Sequence, residues 1–242
     1  MSIIIQDTWN SPEELELVEY LTQKGLNYSI LNRAAITKLD IKEISIPFFD
    51  TDLVLQLLDN VTDKYALFEC YPSELSHFYH RNIQHTTLSR YTEFQKPYFI
   101  KSKLFSHTID TDRDIEIIRE IFDIDDCEVY YCEQVNFISK YRMFVANGGM
   151  AGVVDATNDI FGYPSVVLPP VHFLRAILAC NTYKYCVIDV GQLDTGTWCI
   201  MEVTPPFSLS IYGWEMDKYT RYCQQAWEYI KETIPLIVKP MV

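Results

Sequence analysis

No apolar run in the 242 residues approaches the length of a bilayer-spanning helix, which excludes a membrane-embedded reading. The opening MSIIIQDTWN lacks a basic segment followed by a long apolar stretch, so no secretory signal is expected and the chain reads as cytoplasmic. Basic residues are few: 20 Lys and Arg stand against 33 Asp and Glu, a formal net charge of −13. That balance excludes a broad nucleic-acid face and docking on anionic lipid, and leaves room only for a local basic pocket. The seven cysteines form no C-x-x-C pair and no zinc-like Cys/His cluster; they are expected as buried free thiols of a reducing compartment. No Ser/His/Asp or Cys/His pattern suggests a protein nucleophile, and the K-x-[DN]-G motif of nucleic-acid ligases is missing. What is abundant is core material: 48% hydrophobic and 14% aromatic residues, enough for a packed globular protein.

The first part alternates strand and helix. SIIIQ at Ser2–Gln6 is a β-branched run, and Ser11 with the following P-E-E reads as an N-cap with proline at the first helical position. The helix PEELELVEYLTQKG closes at Gly25; strands are expected at Asn27–Leu31 and Ile44–Phe49, with a helix at Asp52–Leu58. Tyr71–Thr92 is expected to be helical in part. From Pro97 onward the texture is of strands and hairpins: YFIKSK, EVYYCEQV, YRMFVA, MAGVVDA, KYCVIDVG and WCIMEVT. Further helices are expected at Asp112–Phe122, His172–Ala179 and Asp217–Thr233. The fold class is therefore α/β (α+β), divided near residue 95 into an N-terminal α/β unit, 1–95, and a second unit rich in antiparallel strands, 96–242.

The chemistry-bearing segment is YKYCVIDVGQLDTGTWCIMEVTPP. A two-residue loop at Thr195–Gly196, or a four-residue loop with the same centre, sets Asp189 directly opposite Glu202, with Cβ atoms about 5 Å apart. Strand alternation then gives Trp198, Ile200, Glu202 and Thr204 one face, and Cys199, Met201 and Val203 the other. Opposed carboxylates destabilise a sheet unless a cation compensates, and Mg²⁺ commonly takes one or two carboxylates together with substrate phosphates. The D-T-G also matches the aspartic-protease signature, but it occurs once and a hairpin turn accounts for it. Cations to meet a phosphate are at hand. Lys101 and Lys103 alternate onto one strand face beside aromatics, and Arg142 shares a face with Phe144 ahead of an Asn147–Gly148 turn. Glu133 and Gln134 end an apolar strand where carboxylate and backbone groups can read an adenine edge and ribose.

Taken in order, YPSELSHFYHR, YFIKSK, CEQVNFISKYRMFV and CVIDVGQLDTGTWCIMEVTPPFSLSIYG resemble the ATP-grasp superfamily over residues 71–214. The likeness is to a clade found in phages, large viruses and bacteria and marked by two basic positions plus a lysine. The resemblance implies a small pre-ATP-grasp domain followed by an ATP-grasp domain. It implies that Lys101, or Lys103, contacts the ATP α/β-phosphates, and that Glu133 and the backbone near Val135 hold adenosine. By the same resemblance Arg142 faces the γ-phosphate and acyl-phosphate, and Asp189, Glu202 and Thr204 hold Mg²⁺. There are three departures: Lys140 stands where the family has an acid, Thr204 where it has asparagine, and Ser210 where it has glycine. A threonine hydroxyl still offers a neutral oxygen ligand, with weaker metal affinity expected. The implied activity is ATP-dependent carboxylate–amine ligation through an acyl-phosphate, on a peptide, protein or small amino compound. The alternative is a module without turnover that binds nucleotide or a protein partner.

Overall fold

A computed structural model describes residues 2–7, 12–59, 69–93, 98–102, 106–109, 111–122, 126–157, 167–207 and 211–237. The expected Ser11 cap, Lys103 and Ser210 lie outside the described residues. Among those described, no helix is long and apolar enough to cross a membrane.

The N-terminal sheet is parallel, in the order β2 (Tyr28–Leu31), β1 (Ser2–Gln6), β3 (Ile44–Phe48). Its central strand is apolar on both sides because both faces are covered. Ile3 and Ile5 pack with Leu17 and Leu21 of helix α1 (Pro12–Gln23), whereas Ile4 packs with Leu53, Val54 and Leu57 of α3 (Thr51–Asp59). A short helix α2 (Arg33–Ile36), capped by Asn32, leads back toward β3. The C-terminal helix, designated α6 (Met216–Ile237), returns to this sheet. Its Tyr219, Tyr222 and Ala226 join the first cluster, and Trp227 and Ile230 join the second. Trp227 Nε1 donates to the carbonyl of Ile44 at 2.9 Å, so the chain's far end is stitched to its beginning.

Two four-stranded antiparallel sheets follow. One has the order β4 (Gln84–Thr87), β7 (Glu128–Glu133), β5 (Tyr98–Lys101), β6 (Ser106–Ile109). The other runs β11 (Trp198–Thr204), β10 (Cys186–Leu193), β8 (Phe137–Ala146), β9 (Gly149–Asp155). Helix α4 (Asp112–Phe122) covers the first through Ile115 and Ile118, and α5 (Val171–Cys180) covers the second through Leu174 and Ile177. Asn147 and Gly148 both adopt positive φ, 52° and 74°, as a two-residue turn twisted to match its strands requires. Residues 71–92, expected partly helical, form two 3₁₀ turns, Ser73–Phe78 and Leu88–Glu93, with β4 between them. Strand β6 has no counterpart in the sequence reading; it is held by pairing with β5 and by burial of Ile109 against α4. Five of the seven cysteines are buried and all are free; Cys180 is exposed and Cys127 half-buried.

Candidate functional site

The β10–β11 hairpin pairs Asp189 with Glu202, as the sequence predicts, but by a different route. The loop has three residues, Asp194–Gly196, closed by Leu193 N–H donating to Thr197 O at 2.9 Å, with Gly196 at φ 85°. That loop shifts the register by one, and a β-bulge at Met201 shifts it back. The pair survives while the facing does not: Ile200 sits in the core with Val203, and Met201 and Glu202 both line the cavity on the other side. Ile200 and Glu202 therefore do not share a face, because the bulge inserts one residue into the alternation.

The bulge has a visible support. β11 is an edge strand, and on its open side Arg81 donates from Nη1 to Ile200 O at 3.0 Å and from Nη2 to Met201 O. The Val203 N–H is taken by Cys70 O at 2.9 Å. The guanidinium also lies over the rings of Tyr71 and Phe137, 5.8 and 5.9 Å from their centroids. Sequence reasoning did not single out Arg81, which stands within YPSELSHFYHR.

Across the sheet the pairing continues from Asp189 to Arg142 on β8. Arg142 donates from Nε to Asp189 Oδ1 at 2.8 Å and from Nη2 to Oδ2 at 2.9 Å, a two-pronged bond. Lys140 Nζ approaches Asp189 Oδ2 at 3.5 Å. From the facing sheet, Lys101 reaches Glu202 Oε2 at 2.8 Å. Asp189 is fully buried. Burial works against its charge, but Arg142 by charge and hydrogen bonding, and then Lys140, hold its pKa below the ordinary carboxylate value. Burial likewise opposes the charge on Lys101 and Lys140; Glu202 for the first and Asp189 for the second keep both pKa values raised. All these cations remain protonated at neutral pH. In this structure the two opposed acids are thus compensated by protein cations.

Above this row lies Tyr212, its ring centroid 4.7 Å from the Arg142 guanidinium and 5.4 Å from Lys140 Nζ. Its backbone φ is 49°, unusual for a bulky residue, and its N–H donates to Glu13 of α1 at 3.1 Å. The N-terminal unit therefore fixes a ring over the cations.

Beside the row is a cavity of about 310 Å³. Its lining includes the strand end Glu133, Gln134 and Val135, the rings of Phe99 and Phe137, and Met201, Glu202, Lys140 and Arg81. Of the residues expected from sequence, Glu133, Val135 and Glu202 border it directly, and Lys101 joins through Glu202. Arg142 and Asp189 sit behind, at 4% and 0% exposure. Strand alternation explains the wall: Phe99 and Lys101 face the cleft while Tyr98 and Ile100 face the α4 core.

Among the described residues, no group of three or more His, Cys, Asp or Glu is placed to hold a metal. A magnesium ion carried on a polyphosphate needs fewer ligands, since one or two carboxylates suffice beside phosphate and water. Glu202 would supply one, and Thr204, two residues along, has a buried Oγ1 with no hydrogen-bond partner among the described residues. An orphaned hard oxygen next to a carboxylate fits such an ion.

Comparison with known proteins shows the family and the fold. Residues 78–222 match the family model described as ATP-grasp domain, R-2-K clade family 2. The fold is similar to D-alanine–D-alanine ligase from Bacillus anthracis, solved with ATP: TM-score 0.53, 14% identity, covering 98% of this chain and 97% of that one. It is also similar to D-cycloserine synthetase, with TM-score 0.56 and 11% identity over 94% of this chain and 99% of that one. A RimK-domain ATP-grasp protein from Sphaerobacter thermophilus DSM 20745 gives TM-score 0.50 and 13% identity over 93% and 99%. No curated protein matches the chain.

Proposed function

The chain belongs to family 2 of the R-2-K clade of ATP-grasp domains, and from that premise we propose that it is an ATP-dependent carboxylate–amine ligase. The observation that carries this reading is the row Lys101, Glu202, Asp189, Arg142 and Lys140 beside a cavity bordered by Glu133–Val135. ATP transfers its γ-phosphoryl group to a carboxylate oxygen, releasing ADP and giving an acyl-phosphate. An amine then attacks the acyl carbon; phosphate leaves, the nitrogen loses a proton, and an amide results. Positioning and charge neutralisation are the protein's main work in such a transfer.

In this proposal Glu133 and the backbone near Val135 hold adenosine, with Met201 and Phe99 against the base. Lys101 and Lys140 meet the phosphates, with Lys103 as a further candidate. Arg142, its geometry fixed by the two-pronged bond to Asp189, presents positive charge toward the transferring group. Glu202 and Thr204, with Asp189 behind them, would hold Mg²⁺, which when bound neutralises charge on the phosphoryl oxygens. Residues 1–95 are taken as the pre-ATP-grasp unit and 96–242 as the nucleotide-binding unit, with β4 of the first span paired into the sheet of the second. The acceptor is an amine of a peptide, protein or small amino compound, and the setting is cytoplasmic.

A second reading is favoured by one observation: Asp189 already has both oxygens engaged by Arg142 and Lys140. On that reading the domain binds nucleotide without turnover. One experiment separates them. ADP release is followed with Mg·ATP across panels of carboxylates and amines, alongside calorimetric ATP binding. Binding with carboxylate-dependent ADP release supports the ligase; binding without ADP release supports the silent module; no binding defeats both.

A further inference from the structure

Lys140 is the surplus cation of the site. Arg142 alone satisfies both oxygens of Asp189, and Lys101 satisfies Glu202. Lys140 adds a third positive charge to two carboxylates, from 3.5 Å, and it is the member of the three that borders the cavity. Its ammonium is held at one side by Tyr212, whose Oη lies 3.4 Å away and whose ring it faces. Its strand partner is Gly191, and the space a side chain there would take is filled by the uncharged Phe137 ring, so no opposing charge answers it from that direction.

The consequence is a matter of sign. A bare divalent cation approaching Glu202 and Asp189 meets Lys101, Lys140 and Arg142, with Arg81 and Glu133 on the cavity wall offsetting each other: four protein cations against three anions, so it is repelled. A polyphosphate approaching the same place is attracted, and Lys140 donates to it as a mobile point charge. We propose that Lys140 is a nucleotide-binding residue that sets the order of assembly: ATP enters this cleft without a divalent metal, and metal is taken up only once the nucleotide is in place. This rests on the reading above that the cleft holds ATP.

The test uses the full chain. ATP is titrated calorimetrically in EDTA and in Mg²⁺, and Mn²⁺ is followed by electron paramagnetic resonance with and without ATP. Wild type is expected to bind ATP in EDTA to within about tenfold of its affinity in Mg²⁺, and to take up Mn²⁺ only with ATP present. K140Q should weaken ATP binding in EDTA by about tenfold and weaken it less in Mg²⁺. K140E should bind Mn²⁺ without nucleotide. The inference is overturned if wild type binds ATP only with Mg²⁺, if Mn²⁺ binds wild type alone, or if K140Q weakens both conditions equally. Loss of ATP binding under every condition overturns the nucleotide reading as well, a distinguishable result. Should a variant fail to fold, the wild-type arms decide by themselves.

Discussion

Asp189 shows at the scale of one residue how charge is managed here. A carboxylate with no solvent contact is tolerable only because Arg142 grips both oxygens. Asp189→Asn leaves buried Arg142 and Lys140 under-compensated, and a loss of about 3–5 kcal/mol in urea unfolding is expected. The pH dependence follows from the lowered pKa of Asp189. Its contribution is present above the unfolded value of about 4 and is lost as pH falls through the lower folded value. Stability of the wild type therefore drops toward acid more steeply than that of D189N; parallel pH profiles would contradict the assignment. Thr204 gives the opposite case. Its hydroxyl is buried without a partner among the described residues, so Thr204→Val should leave stability unchanged or raise it by about 1 kcal/mol. The same variant should weaken ATP binding in Mg²⁺ while leaving binding in EDTA alone. Equal affinity in Mg²⁺ would remove Thr204 from the proposed metal ligands.

The hairpin is the element on which most depends, and it shows what could be read from sequence. The pairing of Asp189 with Glu202 was legible because turn chemistry at D-T-G and strand period both constrain it. The three-residue loop and the Met201 bulge were not. They cancel in register, so the right pair emerged from a loop length off by one, while Ile200 and Met201 exchanged faces. Nothing local announces that bulge, because its support comes from Arg81, 119 residues from Ile200. Lys140 was visible only as a departure from the family pattern, since a lone strand lysine carries no distinct signal. The placement of Tyr212 carries no local signal either: its N–H bonds to Glu13, 199 residues away. Two changes probe the element. Arg81→Met strips two edge carbonyls of their donor and should cost about 1–3 kcal/mol, with weaker ATP binding as Met201 and Glu202 shift. Unaltered ATP affinity would show that the bulge holds without Arg81. At Gly191 an added Cβ would run into the Phe137 ring. Gly191→Ala should therefore cost about 1–3 kcal/mol in thermal or urea unfolding and push Phe137 into the cavity. A neutral effect would mean the strand relaxes around the added methyl.

The molecule as a whole has three sheets arranged so that one charge row is assembled from distant parts. Lys101 comes from the β5 sheet and Asp189, Glu202 and Arg142 from the β10 sheet, while Glu13 reaches across from α1 to fix Tyr212 above them. The C-terminal helix closes the N-terminal sheet, so the tail supports the element that carries Glu13. A chain of net charge −13 thereby gathers cations at one small cleft. The central claim, that this cleft receives the polyphosphate of ATP, is tested most directly by a crystal structure with a non-hydrolysable ATP analogue and Mg²⁺. The account predicts phosphates against Lys101 and Lys140, with Arg142 behind, and adenine against Glu133–Val135. A nucleotide bound elsewhere, or an empty cleft at saturating analogue, would contradict it.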